Sequence, residues 1–261
     1  VNAAQILEAI AAEAAECKKC QLYHSRKKSV PGEGKPDAEI MLIGEGPGFY
    51  ENEEGRPFVG PSGNFLDELL AKAGVSRKDV FITNVVKCRP PGNRDPLPEE
   101  VAACSGYLDR QIEAVNPLII VTLGRFSMAK FLPNVKISEV HGQASWVRGR
   151  LIVPMYHPAA ALHQASLRPA LERDFARLPE WIAQAKQSGR QPAAARANHP
   201  EASASGMAEG AAAAAPQPRK RGTAAEQPML GLFDVSASEE KPDPEEGGTL
   251  PKDKPTQLSL F

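Results

Sequence analysis

Four short apolar runs punctuate the first part of the chain: Glu39–Gly44, Val80–Lys87, Leu118–Gly124 and Leu151–His157. Each is rich in Ile, Val and Leu and too short for an ordinary helix, as expected of strands buried on both faces of a parallel sheet. Segments with helical spacing separate them. Asn2–Glu16 is rich in Ala and Glu. Ser62 is placed to cap a helix carrying Phe65, Leu66, Leu69, Leu70 and Ala73, with Gly74 at its end. Pro98–Val115, Arg125–Leu132 and Leu167–Ala185 complete the set. Strands alternating with helices predict an α/β fold, a three-layer α/β/α arrangement around a central four-stranded parallel sheet.

The periodicity stops near Gln187, where Ala, Pro, Gly, Ser, Glu and Lys take over. Residues 1–186 are therefore expected to form one globular domain and residues 187–261 a disordered C-terminal tail. The charge is balanced, with 31 Lys and Arg against 32 Asp and Glu. No global field singles out a nucleic-acid partner. Two local clusters stand out, Lys18, Lys19, Arg26, Lys27 and Lys28, and then Lys87, Arg89 and Arg94; such a run is as often a solvated face as a binding patch. No run reaches the length of a membrane span, and no basic-then-apolar leader opens the chain, so a cytoplasmic protein, a monomer with no membrane partner, is expected.

Ligands of doubly wound sheets sit beyond the carboxyl ends of the strands. Gly44-Glu-Gly-Pro-Gly48 follows the first run, Thr83-Asn84 sits near the end of the second, and Tyr156-His157-Pro158 follows the fourth. The glycine loop departs from the G-x-G-x-x-G spacing, Pro47 interrupts it, and Glu45, Glu51, Glu53 and Glu54 would repel a pyrophosphate. Carboxylates there suit holding a water or stabilising a developing cation. Phe58, fixed behind Pro57, reads as ordinary packing or as a stacking platform for a planar ligand. Asn84 reads as a cap or as an amide for the polar edge of a nucleobase. His157 can donate a hydrogen bond to a leaving-group oxygen; its shared rim with Glu45, Glu51 and Asn84 favours that over a packing role.

The chain has four cysteines, Cys17 and Cys20 as a C-x-x-C pair and Cys88 and Cys104 far downstream. Without an export signal a disulfide is disfavoured. A thiolate quartet suits a zinc ion or an iron–sulfur cluster tying the N-terminal segment to the segment after a core strand.

Taken together, Gly44-Glu-Gly-Pro-Gly48, Glu51, Glu53-Glu-Gly-Arg-Pro-Phe-Val-Gly60, Thr83-Asn-Val-Val-Lys-Cys-Arg-Pro-Pro91, Cys104 and His157-Pro158 resemble a family 4 uracil-DNA glycosylase. The resemblance runs from about Cys17 to Arg177. It implies hydrolysis of the N-glycosidic bond of uracil in DNA, with the base flipped out of the helix. It implies that Cys17, Cys20, Cys88 and Cys104 ligate a [4Fe–4S] cluster. Gly46, Phe58 and Asn84 would bind the uracil. His157 would bind the oxygen where charge collects, and Glu51 or Glu45 would orient water or stabilise the cation-like sugar. Leu162 would be a wedge filling the vacated stack and Arg168 a phosphate contact. Phe49 and Tyr50 replace acidic residues common at that point. The Cys88–Cys104 loop has no histidine, which sets the chain apart from a covalent relative of this family.

The chain ends Gln257-Leu-Ser-Leu-Phe261. This resembles the pentapeptide by which bacterial proteins dock on the replication sliding clamp, with Gln257 for polar contacts and Leu258, Leu260 and Phe261 for apolar pockets. Met229-Leu-Gly-Leu-Phe233 repeats the pattern. Two other classes stay open on the residues alone: a non-catalytic uracil-DNA reader tethered to the clamp, and a zinc or redox protein whose cysteines are the active part.

Overall fold

A computed structural model describes residues 1–188. Six strands, β1 (Glu33–Gly34), β2 (Ile40–Gly44), β3 (Val80–Asn84), β4 (Ile119–Leu123), β5 (Ser145–Val147) and β6 (Arg150–Met155), form one sheet in the order β1-β3-β2-β4-β6-β5. The four predicted runs are its parallel centre, β3-β2-β4-β6. The expectation of a purely parallel four-stranded sheet is corrected at both edges, where β1 pairs antiparallel with β3 and β5 antiparallel with β6. These edges are two and three residues long and carry Glu33, Gly34 and Ser145 in place of an apolar run. Edges this short resist pairing with further chains.

The helices are α1 (Ala3–Glu16), α2 (Phe49–Glu54), α3 (Pro61–Lys72), α4 (Pro98–Val115), α5 (Arg125–Ala129), α6 (Ile137–Val140), α7 (Pro158–His163), α8 (Arg168–Ala176) and α9 (Leu178–Gln187). Strand alternation divides the core in two. Ile40 and Leu42 face one cluster with Ile82, Val121 and Val153, packed on Leu66 and Leu69 of α3, Phe175 of α8 and Trp181 of α9. Met41 and Ile43 face the other with Phe81 and Ile120, packed on Ile10 of α1 and on Leu108 and Ile112 of α4. Three layers result, as predicted.

Local departures have identifiable causes. Asn2 caps α1 in a reciprocal box with Gln5. Helix α3 starts earlier than expected, because Pro61 takes the first helical position behind Gly60, leaving Ser62 inside the first turn. The single helix expected over Leu167–Ala185 is two, α8 and α9, meeting at Arg177 just before Pro179, whose missing N–H is tolerated only in a first turn. The tail calls, including Met229–Phe233 and Gln257–Phe261, lie outside the described residues.

Candidate active site and thiol pocket

The chain leaves β2 for β3 on one side and reaches β4 on the other, so a crevice opens beyond the carboxyl ends of these strands. There lies a cleft of about 650 Å³ lined by Glu45, Gly46, Glu51, Phe58, Asn84, His157 and Leu162, among others. Every catalytic and base-binding residue expected from the sequence meets in this one place.

Phe58 forms its floor. It is buried and adopts φ +51°, a left-handed conformation that costs a non-glycine residue of order 1–3 kcal/mol. Its surroundings hold it there from two sides. Arg77 donates to the carbonyl oxygens of Phe58 (3.1 Å) and Pro57 (2.6 Å) while pairing with Asp67 (2.9 Å) and Glu33 (2.8 Å). From the other side Glu51 accepts from the N–H groups of Val59 (3.0 Å) and Gly60 (3.1 Å) at Oε1 and of Gly48 (3.0 Å) at Oε2. The last residue of β2 must be glycine, since a Cβ on Gly44 would sit 2.3 Å from Asn84 Oδ1 and 2.8 Å from the Phe58 ring.

Asn84 ends β3, is 1% exposed, and its Oδ1 has no hydrogen-bond partner. An orphaned buried acceptor costs roughly 1–3 kcal/mol, so its persistence on a cleft wall points to a partner that arrives from outside. His157 caps α7: its Nδ1 accepts from the N–H of Ala159 (3.1 Å). That bond places the proton of the neutral ring on Nε2. Burial pushes the imidazole down to about 4, against a weaker upward pull from Glu51. The ring is therefore neutral near pH 7 and still a donor. Its centroid lies 5.4 Å from that of Phe58, with the planes 25° apart.

The two carboxylates differ. Glu51 is 7% exposed and both its oxygens are occupied by backbone donors. Glu45 is half-buried, and burial, helped by Asp95 and opposed by Arg125, raises its pKa. A carboxylate poised upward is suited to take a proton from water.

Leu162 on α7 lines the cleft and is 47% exposed. Arg168 does not line it: it opens α8, pairs with Glu68 (3.1 Å) and Glu172 (3.3 Å), and lies 4.6 Å from the centroid of the Phe65 ring. Of the two basic runs, Lys18, Lys19, Lys27, Lys28 and Arg94 are exposed, while three members are engaged with the protein interior. Arg26 donates to the carbonyls of Cys17 and Ala15, and Arg94 pairs with the buried Glu100. Lys87 is 1% exposed, and its Nζ donates to Thr83 Oγ1 (2.6 Å), the Asn84 carbonyl (2.7 Å) and Gln111 Oε1 (2.7 Å). Sequence reasoning missed these internal roles of Arg77 and Lys87; the apolar Val85, Val86 and Cys88 around Lys87 are the one signal of its burial.

All four cysteines line a second pocket, between α1 and α4, that shares no lining residue with the cleft. All four are free thiols. Burial raises the pKa of Cys20 and Cys88 and pushes Cys104 up to about 11. Cys88 Sγ accepts from Arg26 (3.4 Å) and Cys104 Sγ from the Lys87 N–H (3.3 Å). Among the described residues no group of three or more His, Cys, Asp or Glu is arranged to hold a single metal ion.

A doubly wound sheet whose rim brings together an aromatic floor, an unpaired amide oxygen and a neutral imidazole is suited to a flat polar ring. Comparison with known proteins narrows the class. The family model described as the uracil DNA glycosylase superfamily matches residues 31–178. A protein named type-4 uracil-DNA glycosylase from Sulfurisphaera tokodaii is 50% identical over 186 residues, 67% of this chain and 84% of that protein. Proteins of the same name from Saccharolobus solfataricus (48%, covering 67% and 86%) and Archaeoglobus fulgidus (46%, covering 67% and 92%) are similar to it as well. The chain belongs to the uracil DNA glycosylase superfamily, in its type-4 group.

Proposed function

We infer that this protein excises uracil from DNA by hydrolysing its N-glycosidic bond, leaving an abasic site. The observation that carries the reading is the unpartnered Oδ1 of Asn84, buried at the base of a cleft whose other walls supply a stacking face and a neutral donor. The target bond is out of reach inside a duplex, so the nucleotide must be turned out into the cleft. Uracil then lies on Phe58, with Gly46 among the backbone groups around it. Asn84 Oδ1 accepts from N3–H and its Nδ2 donates to O4. Cytosine lacks the N3 proton and carries an amino group at position 4, so both contacts fail.

As the C1′–N1 bond breaks, negative charge collects on the uracil O2, and His157 Nε2–H is the donor that stabilises it. A neutral imidazole serves as a donor without surrendering its proton. Glu45 takes a proton from the attacking water, whose oxygen bonds to C1′. Glu51 presents its carboxylate near the sugar while bracing the loop that carries Phe58. Of the two candidates, Glu45 is favoured as the base because its oxygens are not already engaged. Leu162 is placed to enter the vacated stack. A phosphate contact by Arg168 would require its ion pairs with Glu68 and Glu172 to open.

The four thiols fit a [4Fe–4S] cluster. The donors are all sulfur and line one pocket, with no other ligand type required. A single zinc is the other occupant an all-sulfur set could take, and visible absorption of the purified protein separates the two. The group would supply a cross-link between the N-terminal segment, the loop after β3 and α4, apart from the bond-breaking step.

A uracil-containing single-stranded oligonucleotide, followed by alkali to cut abasic sites, tests the activity. Strand scission at the uracil position is the expected result; intact strands would leave a reader that binds and does not cut. The terminal Gln257–Phe261 and the inner Met229–Phe233 are proposed to dock on a bacterial sliding clamp. Removing both should abolish clamp pull-down and leave oligonucleotide cleavage unchanged; retained pull-down rejects the docking role.

A further inference from the structure

Phe49 and Tyr50 open α2 and stand at the mouth of the cleft, each 52% exposed. Their rings meet edge to face with centroids 5.5 Å apart. The guanidinium of Arg89 lies 5.3 Å from the Phe49 centroid, and Arg89 Nε is held by Asn93 Oδ1 at 2.8 Å. The Tyr50 ring also backs onto the turn at Gly60, where an added Cβ would come within 2.9 Å of its Cδ2. One side of the pair is thus braced by protein and the other is open.

Exposed large apolar side chains are few among the described residues, and Phe49, Tyr50 and Leu162 gather at this one cleft. Phe49 and Tyr50 add nothing to either buried core cluster. A contiguous exposed aromatic patch marks a surface that something covers.

We propose that Phe49 and Tyr50 form a second stacking platform, outside the base pocket, for the nucleotide next to the flipped uridine in the same strand. The proposal rests on the uracil-excision reading. Turning the uridine out strips one face of the neighbouring base of its stacking partner. The aromatic pair lies on the rim through which the uridine enters, and so along the path of the strand. It offers that bare face a replacement, and the nearby Arg89 brings a positive charge to the same surface. Because every base has a π-face, the platform is indifferent to sequence. Its contribution is greatest on single-stranded DNA, where no complementary strand keeps the neighbour in line.

The test measures KM and kcat on single-stranded uracil oligonucleotides with ordinary neighbours, and with an abasic spacer replacing the nucleotide on the 5′ or the 3′ side. Base–aromatic stacking of about 1–3 kcal/mol corresponds to a change of roughly 5- to 150-fold. The Phe49→Ala/Tyr50→Ala protein should show a KM raised by about tenfold, with kcat moved less. A spacer on one side should raise the parent's KM to a similar degree and add almost nothing in the variant. Phe49→Leu/Tyr50→Leu keeps apolar bulk without a π-face and should behave like the alanine pair, separating stacking from folding. KM values within twofold of the parent, losses that multiply independently, or full rescue by leucine would each overturn the platform. A parent that releases no uracil from any substrate rejects the activity reading instead.

Discussion

The cleft and the thiol pocket both hang from the end of β3, yet they are built on opposite rules. Asn84 turns one way into an open cleft with an acceptor left unpaired and an aromatic held in a disfavoured conformation. Cys88, four residues on, turns into a small pocket where sulfur, guanidinium and backbone N–H already meet one another. Lys87 stands between them, its Nζ on the Asn84 carbonyl and its backbone N–H on Cys104. Bonding capacity left vacant marks the place where chemistry happens. Four sulfurs gathered in one pocket mark the place where a bound cluster would keep the frame in shape.

The contrast breaks most visibly at His157. His157→Ala should lower the single-turnover rate by about 10²–10³, the usual cost of losing one charge-stabilising donor, with the melting temperature little changed. A rate within a few-fold of the parent would remove the imidazole from the mechanism. The opposite signature is expected at Cys104. Cys104→Ala should abolish visible absorption of the purified protein and lower its melting temperature, while the folded remainder keeps a rate within about tenfold of the parent, well short of the loss of a transition-state donor. A colourless protein before mutation, or unchanged melting after it, would reject the cluster as a cross-link.

The pH dependence separates the sites more finely. The pKa of His157 is depressed from 6.5 to about 4, so it adds no proton-linked cost above pH 6.5. As pH falls from 6.5 towards 4, the unfolded chain takes up a proton that the folded chain refuses, and stability declines over that window. The rate follows a different group. Glu45 must be ionised, and its pKa lies above the ordinary carboxylate value of 4.5. The acid limb of the single-turnover rate should therefore flatten in the residual activity of Glu45→Gln. An acid limb that survives that substitution unchanged would remove Glu45 from the role of base.

The central strands were legible because each is an unbroken apolar run, and burial on both faces demands that composition. The edges β1 and β5 were not, since two or three residues with Glu33, Gly34 or Ser145 carry no periodicity. Glu45, Asn84 and His157 could be placed together because the strand ends of a doubly wound sheet share one rim, whereas Phe58, which ends no strand, joined them only through the family resemblance. The division of labour between Glu45 and Glu51 could not be read, because only the three backbone donors on Glu51 show that it is engaged. Lys87 stood in a local basic cluster with Arg89 and Arg94, and nothing along the chain singled out Arg77. Their importance lies in partners up to 44 positions away, such as Glu33 for Arg77, and in burial that a single lysine letter does not disclose.

The clamp formed by Arg77 has a consequence for behaviour on heating. One guanidinium ties the platform under the base to Glu33 in β1 and to Asp67 in α3, so the cleft floor cannot loosen before the sheet edge and the first helix behind it. Fidelity and global order should then fail at a common temperature, leaving no warm interval in which an intact chain with a slack floor attacks undamaged bases.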